Sequence, residues 1–227
     1  MRNTLINKEI IKRVALALGD LNNDVIYVGG ATVSLYINDP AADDVRPTKD
    51  IDISLQILSI PQLEEIREQL NEKGFSQSAD LDVICRFKLD DILVDVMSTK
   101  AVGWAPANPW FAKGFDKREK VKIDDISIQI MPLPYFLASK FSAFKDRGGN
   151  DPRQSKDLED ITYILNNRTD WHEVIKDSGK EVIDFLIMHF QEISKSAGIQ
   201  EAMRGFLFYE EQSERFKIIT KKIDYLL

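Results

Sequence analysis

An α+β fold is predicted by three observations. A strand–turn–helix–loop–strand pattern fills Val25 to Ser54. Further short alternating runs follow it up to residue 131. Beyond Pro134 every apolar pattern has helical spacing, so strands give way to helices at the Pro132/Pro134 boundary. The expected architecture is a mixed sheet with flanking helices over residues 1–132 and a helical C-terminal domain over 133–227.

The elements follow in order. Ile10, Ile11, Val14 and Leu18 make an apolar stripe, which predicts a helix over 8–20. Val25-Ile26-Tyr27-Val28 is a strand that ends in Gly29-Gly30. Ala31 to Ile37 then has the pattern of a helix, stopped by Asn38-Asp39-Pro40. A second strand is expected over 49–57. Pro61 lies in the first turn of the next helix, which runs to Lys73 and stops at Gly74. Residues 82–88 and 91–97 form a hairpin pattern, with Asp90-Asp91 near the turn. Residues 98–115 look irregular and carry Trp104, Trp110, Phe111 and Phe115. Such aromatics either cover a nucleotide base or anchor a long loop to the core. A last strand is expected over 126–131. Helices are expected near 134–146, 155–167, 170–177, 179–196 and 198–226.

Composition narrows the function classes. The chain has 227 residues, 44% of them hydrophobic, enough for one large or two small cores. Its N-terminus has the pattern of an amphipathic helix and not of a signal peptide. No run approaches the ~20 apolar residues of a membrane span. Cys85 is the single cysteine, which excludes an internal disulfide and a Cys-rich zinc site, and a reducing cytoplasm is expected. His172 and His189 are too few and too far apart for a metal site, and His189 sits in an apolar helix. A net charge of −7 argues against broad nonspecific binding to nucleic acid. It leaves room for local basic segments. Two exist, Lys113 to Lys122 and Lys145 to Lys156, and each also carries acids, as a solvated loop does.

The chemistry-bearing residues cluster around the first two strands. Asp50 and Asp52 are two apart on a strand, so both carboxylates face one way. Two like charges on one face call for a compensating cation. A divalent ion such as Mg²⁺ takes oxygen ligands of this kind together with substrate phosphates. Gly29 and Gly30 ahead of a helix start offer backbone N–H groups to an anion. A phosphate cradle before a paired-carboxylate strand points to metal-assisted nucleotide chemistry. Asp95 interrupts the apolar strand Ile92 to Met97. It joins Asp50 and Asp52 if its strand lies beside theirs. Lys140 lies four residues from Phe136 and from Phe144, inside the apolar stripe of its helix. An ammonium there snorkels to the surface, meets a carboxylate or meets a triphosphate. Asp157 shares a face with Ile161 and Ile164. It also stands in the first turn of a helix that Ser155 can cap, where an acid favours the helix dipole. Asp160 is expected to be structural.

Gly29-Gly30 followed by Arg46-Pro47-Thr48-Lys49-Asp50-Ile51-Asp52 resembles the core of the polymerase-beta-like nucleotidyltransferases. More closely it resembles the AbiEii branch of type IV toxins. The second half adds Lys140-Phe141-Ser142-Ala143, similar to that branch's Lys-hydrophobic-x-Ala helix. It also adds Lys156-Asp157-Leu158-Glu159-Asp160, similar to its Arg-Asp-hydrophobic-x-Asp helix, with Lys156 where arginine is common. The resemblance implies transfer of a nucleoside monophosphate from an NTP to a hydroxyl, with pyrophosphate released. It implies that Asp50, Asp52 and Asp95 hold Mg²⁺ or Mn²⁺, and that Asp95 also helps deprotonate the acceptor. Gly29, Gly30 and Ala31 would cradle the phosphates. Lys140 would neutralise the triphosphate, with Asp157 beside the nucleotide and the helical domain closing over it. An RNA acceptor, the tRNA 3′ end, and a neighbouring antitoxin are implied in the same way. The two basic segments are the expected rim for that RNA. A small-molecule nucleotidyltransferase of the aminoglycoside or lincosamide type shares the same motif. A catalytically silent NTP-binding or partner-binding protein is the alternative from another class.

Overall fold

The computed structural model describes residues 2–77, 85–147 and 151–227. The chain divides into two compact units. One comprises Met1–Leu35 and Asp43–Pro132, the other Tyr36–Ala42 and Leu133–Leu227.

The first unit is built on a six-stranded sheet. Its strands are β1 (Val25–Val28), β2 (Asp50–Leu55), β3 (Arg86–Leu89), β4 (Ile92–Ser98), β5 (Glu119–Ile123) and β6 (Ile126–Ile130). They lie in the order β3-β4-β2-β1-β6-β5. The sheet is mixed: β2 runs parallel to β4 and β1 parallel to β6, and the other neighbours are antiparallel. Among the described residues this unit has three α-helices, α1 (Arg2–Leu18), α2 (Ile60–Glu72) and α3 (Phe111–Asp116). Ser59 caps α2 by accepting the Gln62 N–H, and Pro61 stands in its first turn.

Alternation sets the two faces of the sheet. Ile51, Ile53, Phe87, Leu89, Val94 and Val96 are buried, and they put one face into the core. Asp50, Asp52 and Arg86 occupy the intervening positions and are only partly buried. A one-residue slip in any of these strands would send its carboxylates into the core, so the apolar pattern also fixes which face carries the acids.

The second unit is helical. Its helices are α4 (Leu133–Arg147), α5 (Lys156–Asn167), α6 (Trp171–Lys176), α7 (Lys180–Lys195), α8 (Ala197–Gly205) and α9 (Gln212–Leu226). α4 is the central element. Every residue from Leu133 to Phe141 is buried, and α5, α6 and α7 pack on it. The segment Tyr36–Ala42 joins this unit through specific bonds. The Asn38 and Asp39 N–H groups donate to the Asn167 carbonyl, and Tyr36 stacks on Phe136 with centroids 4.3 Å apart. His189 is a core histidine stacked on Phe141, and burial pushes its pKa down. No helix among the described residues is long and apolar enough to cross a membrane.

Several elements differ from the sequence pattern. After Gly29 the chain makes a 3₁₀ turn over Gly30–Leu35, not an α-helix to Ile37. Thr32, Val33 and Ser34 are weak helix formers, and Tyr36 leaves for the other unit. Residues within 113–122 are not a plain solvated loop, because they supply part of α3 and most of β5. β5 is an edge strand whose Lys120 and Lys122 point to solvent, and such charges hide a strand pattern while protecting the edge. The expected helix over 198–226 is two helices. Gly205 closes α8, and the chain turns over residues 206–211 before α9 begins. Of the hairpin expected from residue 82, positions 82–84 lie outside the described residues.

Candidate functional site

The site is set by register. On β2 and β4, Asp52 is the direct partner of Asp95. On β3 and β4, Arg86 is the direct partner of Asp95. On β1 and β2, Val28 is the direct partner of Asp52. One row therefore crosses four strands as Arg86, Asp95, Asp52, Val28, and Gly29 follows Val28. Asp50 lies two residues before Asp52 and shares its face. The three carboxylates expected to meet are thus gathered by the sheet itself.

Neighbouring positions on adjacent strands are about 5 Å apart. At that distance two like charges repel by about 3 kcal/mol with an effective dielectric constant near 20. The sum over three carboxylates is a large fraction of a domain's stability, so compensation is required. Arg86 supplies it. Its Nε and Nη2 donate to the two oxygens of Asp95 at 2.6 and 2.7 Å. Its Nη2 also reaches Asp50 Oδ2 at 3.3 Å. The bonds to Asp95 raise the pKa of the guanidinium above its ordinary value. The buried Cys85 thiol lies in the same field. Burial pushes its pKa up, and the charges of Asp95 and Asp52 push the same way. Arg86 has no motif around it in the sequence. The one signal for it is position, since it stands opposite Asp95 once the hairpin is drawn.

Gly29 and Gly30 serve the same row. Gly29 has φ +75°, and a Cβ there would land on the carboxylate of Asp52. A glycine is required twice over, for the left-handed backbone and for the space that Asp52 fills. At Gly30 a Cβ would meet the guanidinium of Arg46, with Thr48 Oγ1 at 3.2 Å. Arg46 and Thr48 come from the residues just before Asp50, so the turn, the Arg-Pro-Thr segment and β2 form one local assembly. Ala31 is buried in the 3₁₀ turn, and Thr32 Oγ1 donates to the Gly29 carbonyl at 2.9 Å. So short a turn carries little dipole, so any anion here would be held by backbone N–H groups and by Arg46.

The donor chemistry suits a divalent ion such as Mg²⁺ or Mn²⁺. Asp50 and Asp52 offer hard oxygen ligands from one strand face, and the missing Cβ at Gly29 gives the Asp52 carboxylate its place there. Among the described residues, no three Asp, Glu, His or Cys side chains stand close enough together to hold a metal ion. Arg86 engages both oxygens of Asp95 and one of Asp50. Asp50 and Asp52 are the pair that could hold such an ion, with Asp95 beside them in the grip of Arg86.

The second unit has its own charged cluster. Lys140 is buried on α4, and its Nζ lies 2.7 Å from Asp160 Oδ2 and 3.2 Å from Asp157 Oδ1. Arg147 Nη2 stands 3.2 Å from Asp157 Oδ2. Of the partners open to a lysine in an apolar stripe, the structure supplies carboxylates. Asp157 and Asp160 are three apart on α5 and both reach it. Ser155 caps α5 by accepting the Leu158 N–H at 3.2 Å. The basic residues of the Lys145–Lys156 segment are largely paired. Lys145 binds Glu192, Arg147 binds Asp157, and Arg153 Nε lies 2.9 Å from Asp151. In the Lys113–Lys122 segment, Lys113 lies over the Trp110 ring and Arg118 over the Phe115 ring, while Lys117, Lys120 and Lys122 are exposed.

A family model described as "Nucleotidyl transferase AbiEii toxin, Type IV TA system" matches residues 14–227. The fold is similar to the crystal structure of an antigenic nucleotidyltransferase-like protein from Paracoccidioides brasiliensis. That match has a TM-score of 0.51 and 16% identity, over 86% of this chain and 92% of that one. A second likeness is to the solution structure of the antibiotic-resistance factor ANT(2'')-Ia. Its TM-score is 0.46 at 15% identity, over 84% of this chain and 94% of that one. No curated protein sequence matches the chain.

Two substitutions test the geometry. Gly29→Ala should cost about 1–3 kcal/mol through the left-handed backbone alone, and it should displace Asp52 and abolish activity. Gly74→Ala is the control, because Gly74 has φ +87° with nothing within 4 Å of a Cβ. It should show a similar loss in urea denaturation with activity kept. Equal activity in the two variants would remove Asp52 from the site.

Lys140→Met should cost about 3–5 kcal/mol, because it leaves Asp157 and Asp160 buried without their shared cation. Thermal unfolding checks this. An unchanged melting temperature would mean that the carboxylates do not depend on Lys140.

Proposed function

The chain belongs to the AbiEii nucleotidyltransferase family, and from that premise we propose that it moves a nucleoside monophosphate from an NTP to an RNA hydroxyl at the tRNA 3′ end, in a metal-dependent reaction, as the toxin of a toxin–antitoxin pair. Nucleotidyl transfer is the family's activity. The observation that supports the metal-dependent part of this reading is the gathering of Asp50, Asp52 and Asp95 on one sheet face, beside the Gly29–Gly30 turn.

The bond changes are those of a single displacement. The acceptor oxygen forms a bond to the α-phosphorus of the NTP, the bond from that phosphorus to the β-bridging oxygen breaks, and pyrophosphate leaves. The hydroxyl proton passes to a carboxylate. Asp95 is the group assigned to it, since Arg86 holds it in one orientation next to Asp52. Asp50 and Asp52 would hold Mg²⁺ or Mn²⁺, which when bound offsets charge on the triphosphate and favours the ionised acceptor. The N–H groups of the Gly29–Ala31 turn and the guanidinium of Arg46 are the donors for the phosphates. The assignment of Lys140 and Asp157 to the nucleotide stays with the family resemblance. Their contacts support a second task, holding α4 to α5.

The RNA acceptor and the antitoxin rest on the family. The exposed Lys117, Lys120 and Lys122 support a local phosphate contact in an otherwise acidic chain. A cytoplasmic protein fits such an acceptor.

The test is transfer. Each labelled NTP is incubated with the protein, Mg²⁺ and total RNA. The expected result is label on tRNA, lost in Asp52→Asn without loss of fold. Changing Lys117, Lys120 and Lys122 to Glu should lower RNA labelling far more than NTP binding, most of all at low salt, and leave a shallower salt dependence than wild type has. Label on an aminoglycoside or lincosamide with none on RNA would overturn the RNA reading. Full turnover by Asp52→Asn would overturn the site.

A further inference from the structure

Arg86 is a cation inside a cluster that, by its chemistry, is meant to take a cation from solution. It stands on β3, at the edge of the sheet, with Asp95 as its direct partner on β4. Its two bonds to Asp95, at 2.6 and 2.7 Å, form the side-on fork that a planar guanidinium makes with a carboxylate. Its single contact with Asp50, at 3.3 Å, is long for a charged hydrogen bond. The side chain is also well placed to persist, since Arg86 and Asp95 are only partly exposed, at 21% and 11%.

The geometry therefore ranks the two carboxylates, strongly held Asp95 and weakly held Asp50. We propose that Arg86 is the positioning residue of this face, fixing Asp95 toward the acceptor hydroxyl and competing with the metal ion for Asp50 alone. This rests on the reading of Asp50 and Asp52 as metal ligands. A carboxylate has about four acceptor positions and the fork takes two, so Asp95 keeps capacity for a hydroxyl proton. Asp50 would exchange its weak contact with Arg86 for an ion, and Arg86 would keep its fork on Asp95. In the absence of metal the same arginine limits repulsion among the three acids, so the face stays formed while it waits for its ligand.

The full chain serves for the test, with two variants. Arg86→Gln removes the charge and the fork, and Arg86→Lys keeps the charge and loses the fork. Mn²⁺ affinity is read by electron paramagnetic resonance without nucleotide, and transfer kinetics are read on the acceptor that wild type labels. Arg86→Gln should bind Mn²⁺ several-fold more tightly than wild type. Its kcat should fall about 10- to 100-fold, with KM for the NTP within about twofold. Arg86→Lys should bind Mn²⁺ as wild type does and keep the fall in kcat. Unchanged Mn²⁺ affinity in Arg86→Gln, or wild-type kcat in Arg86→Lys, overturns the proposal. Should Arg86→Gln fail to fold, Arg86→Lys decides alone: reduced kcat with unchanged Mn²⁺ affinity supports it, and any other pair of results overturns it. Asp52→Asn separates this from the parent reading. If Asp52→Asn still binds Mn²⁺ as wild type does, the metal reading itself fails, whatever Arg86 does.

Discussion

The fork between Arg86 and Asp95 joins two neighbouring strands at 2.6 and 2.7 Å, and it holds together the acids that strand register brings to one face. Three carboxylates on one sheet face repel one another, and the directly paired Asp52 and Asp95 alone cost about 3 kcal/mol at strand spacing. One guanidinium offsets part of that repulsion. The sheet order places the arginine on an edge strand, outside the acids. From there it reaches Asp95 fully and Asp50 only at its limit, and Asp52 lies on the far side of Asp95 from it.

The glycine pair is explained by the same crowding. Asp52 pairs in register with Val28, so its carboxylate comes to rest over Gly29, the residue that follows β1. Only a residue without a Cβ can stand there. A motif that the sequence presents as a phosphate cradle is therefore also a space for an acid. Gly30 gives up its own Cβ space to Arg46, which brings a second guanidinium to the turn. Both readings of the Gly-Gly pair concern one site, and the steric one can be seen without any ligand.

Much of this was legible in the chain. The apolar run of β1, the Asp-x-Asp alternation of β2 and the lone acid of β4 were enough to expect three carboxylates on one face. The strand pairing of Asp52 with Asp95 is the contact that the reading needed. Arg86 was not legible, because a charged residue at a strand start has no pattern until the partner strand is in register. β5 was hidden for a related reason. Its outward lysines look like a basic loop, and only pairing with β6 makes it a strand. The Lys140 partners were open because an ammonium in an apolar stripe requires an anion but does not say which. Asp157 and Asp160, one turn apart on α5, answer it within the second unit. The break between α8 and α9 was missed because apolar residues continue through it, and Gly205 alone marks the stop.

The most direct measurement is anomalous diffraction from crystals grown with Mn²⁺ and a non-hydrolysable NTP analogue. The account predicts a Mn²⁺ peak ligated by Asp50 and Asp52, the phosphates of the analogue at the Gly29–Gly30 turn, and Arg86 still forked on Asp95. A nucleotide bound away from this face, with no Mn²⁺ on Asp50 or Asp52, would contradict it.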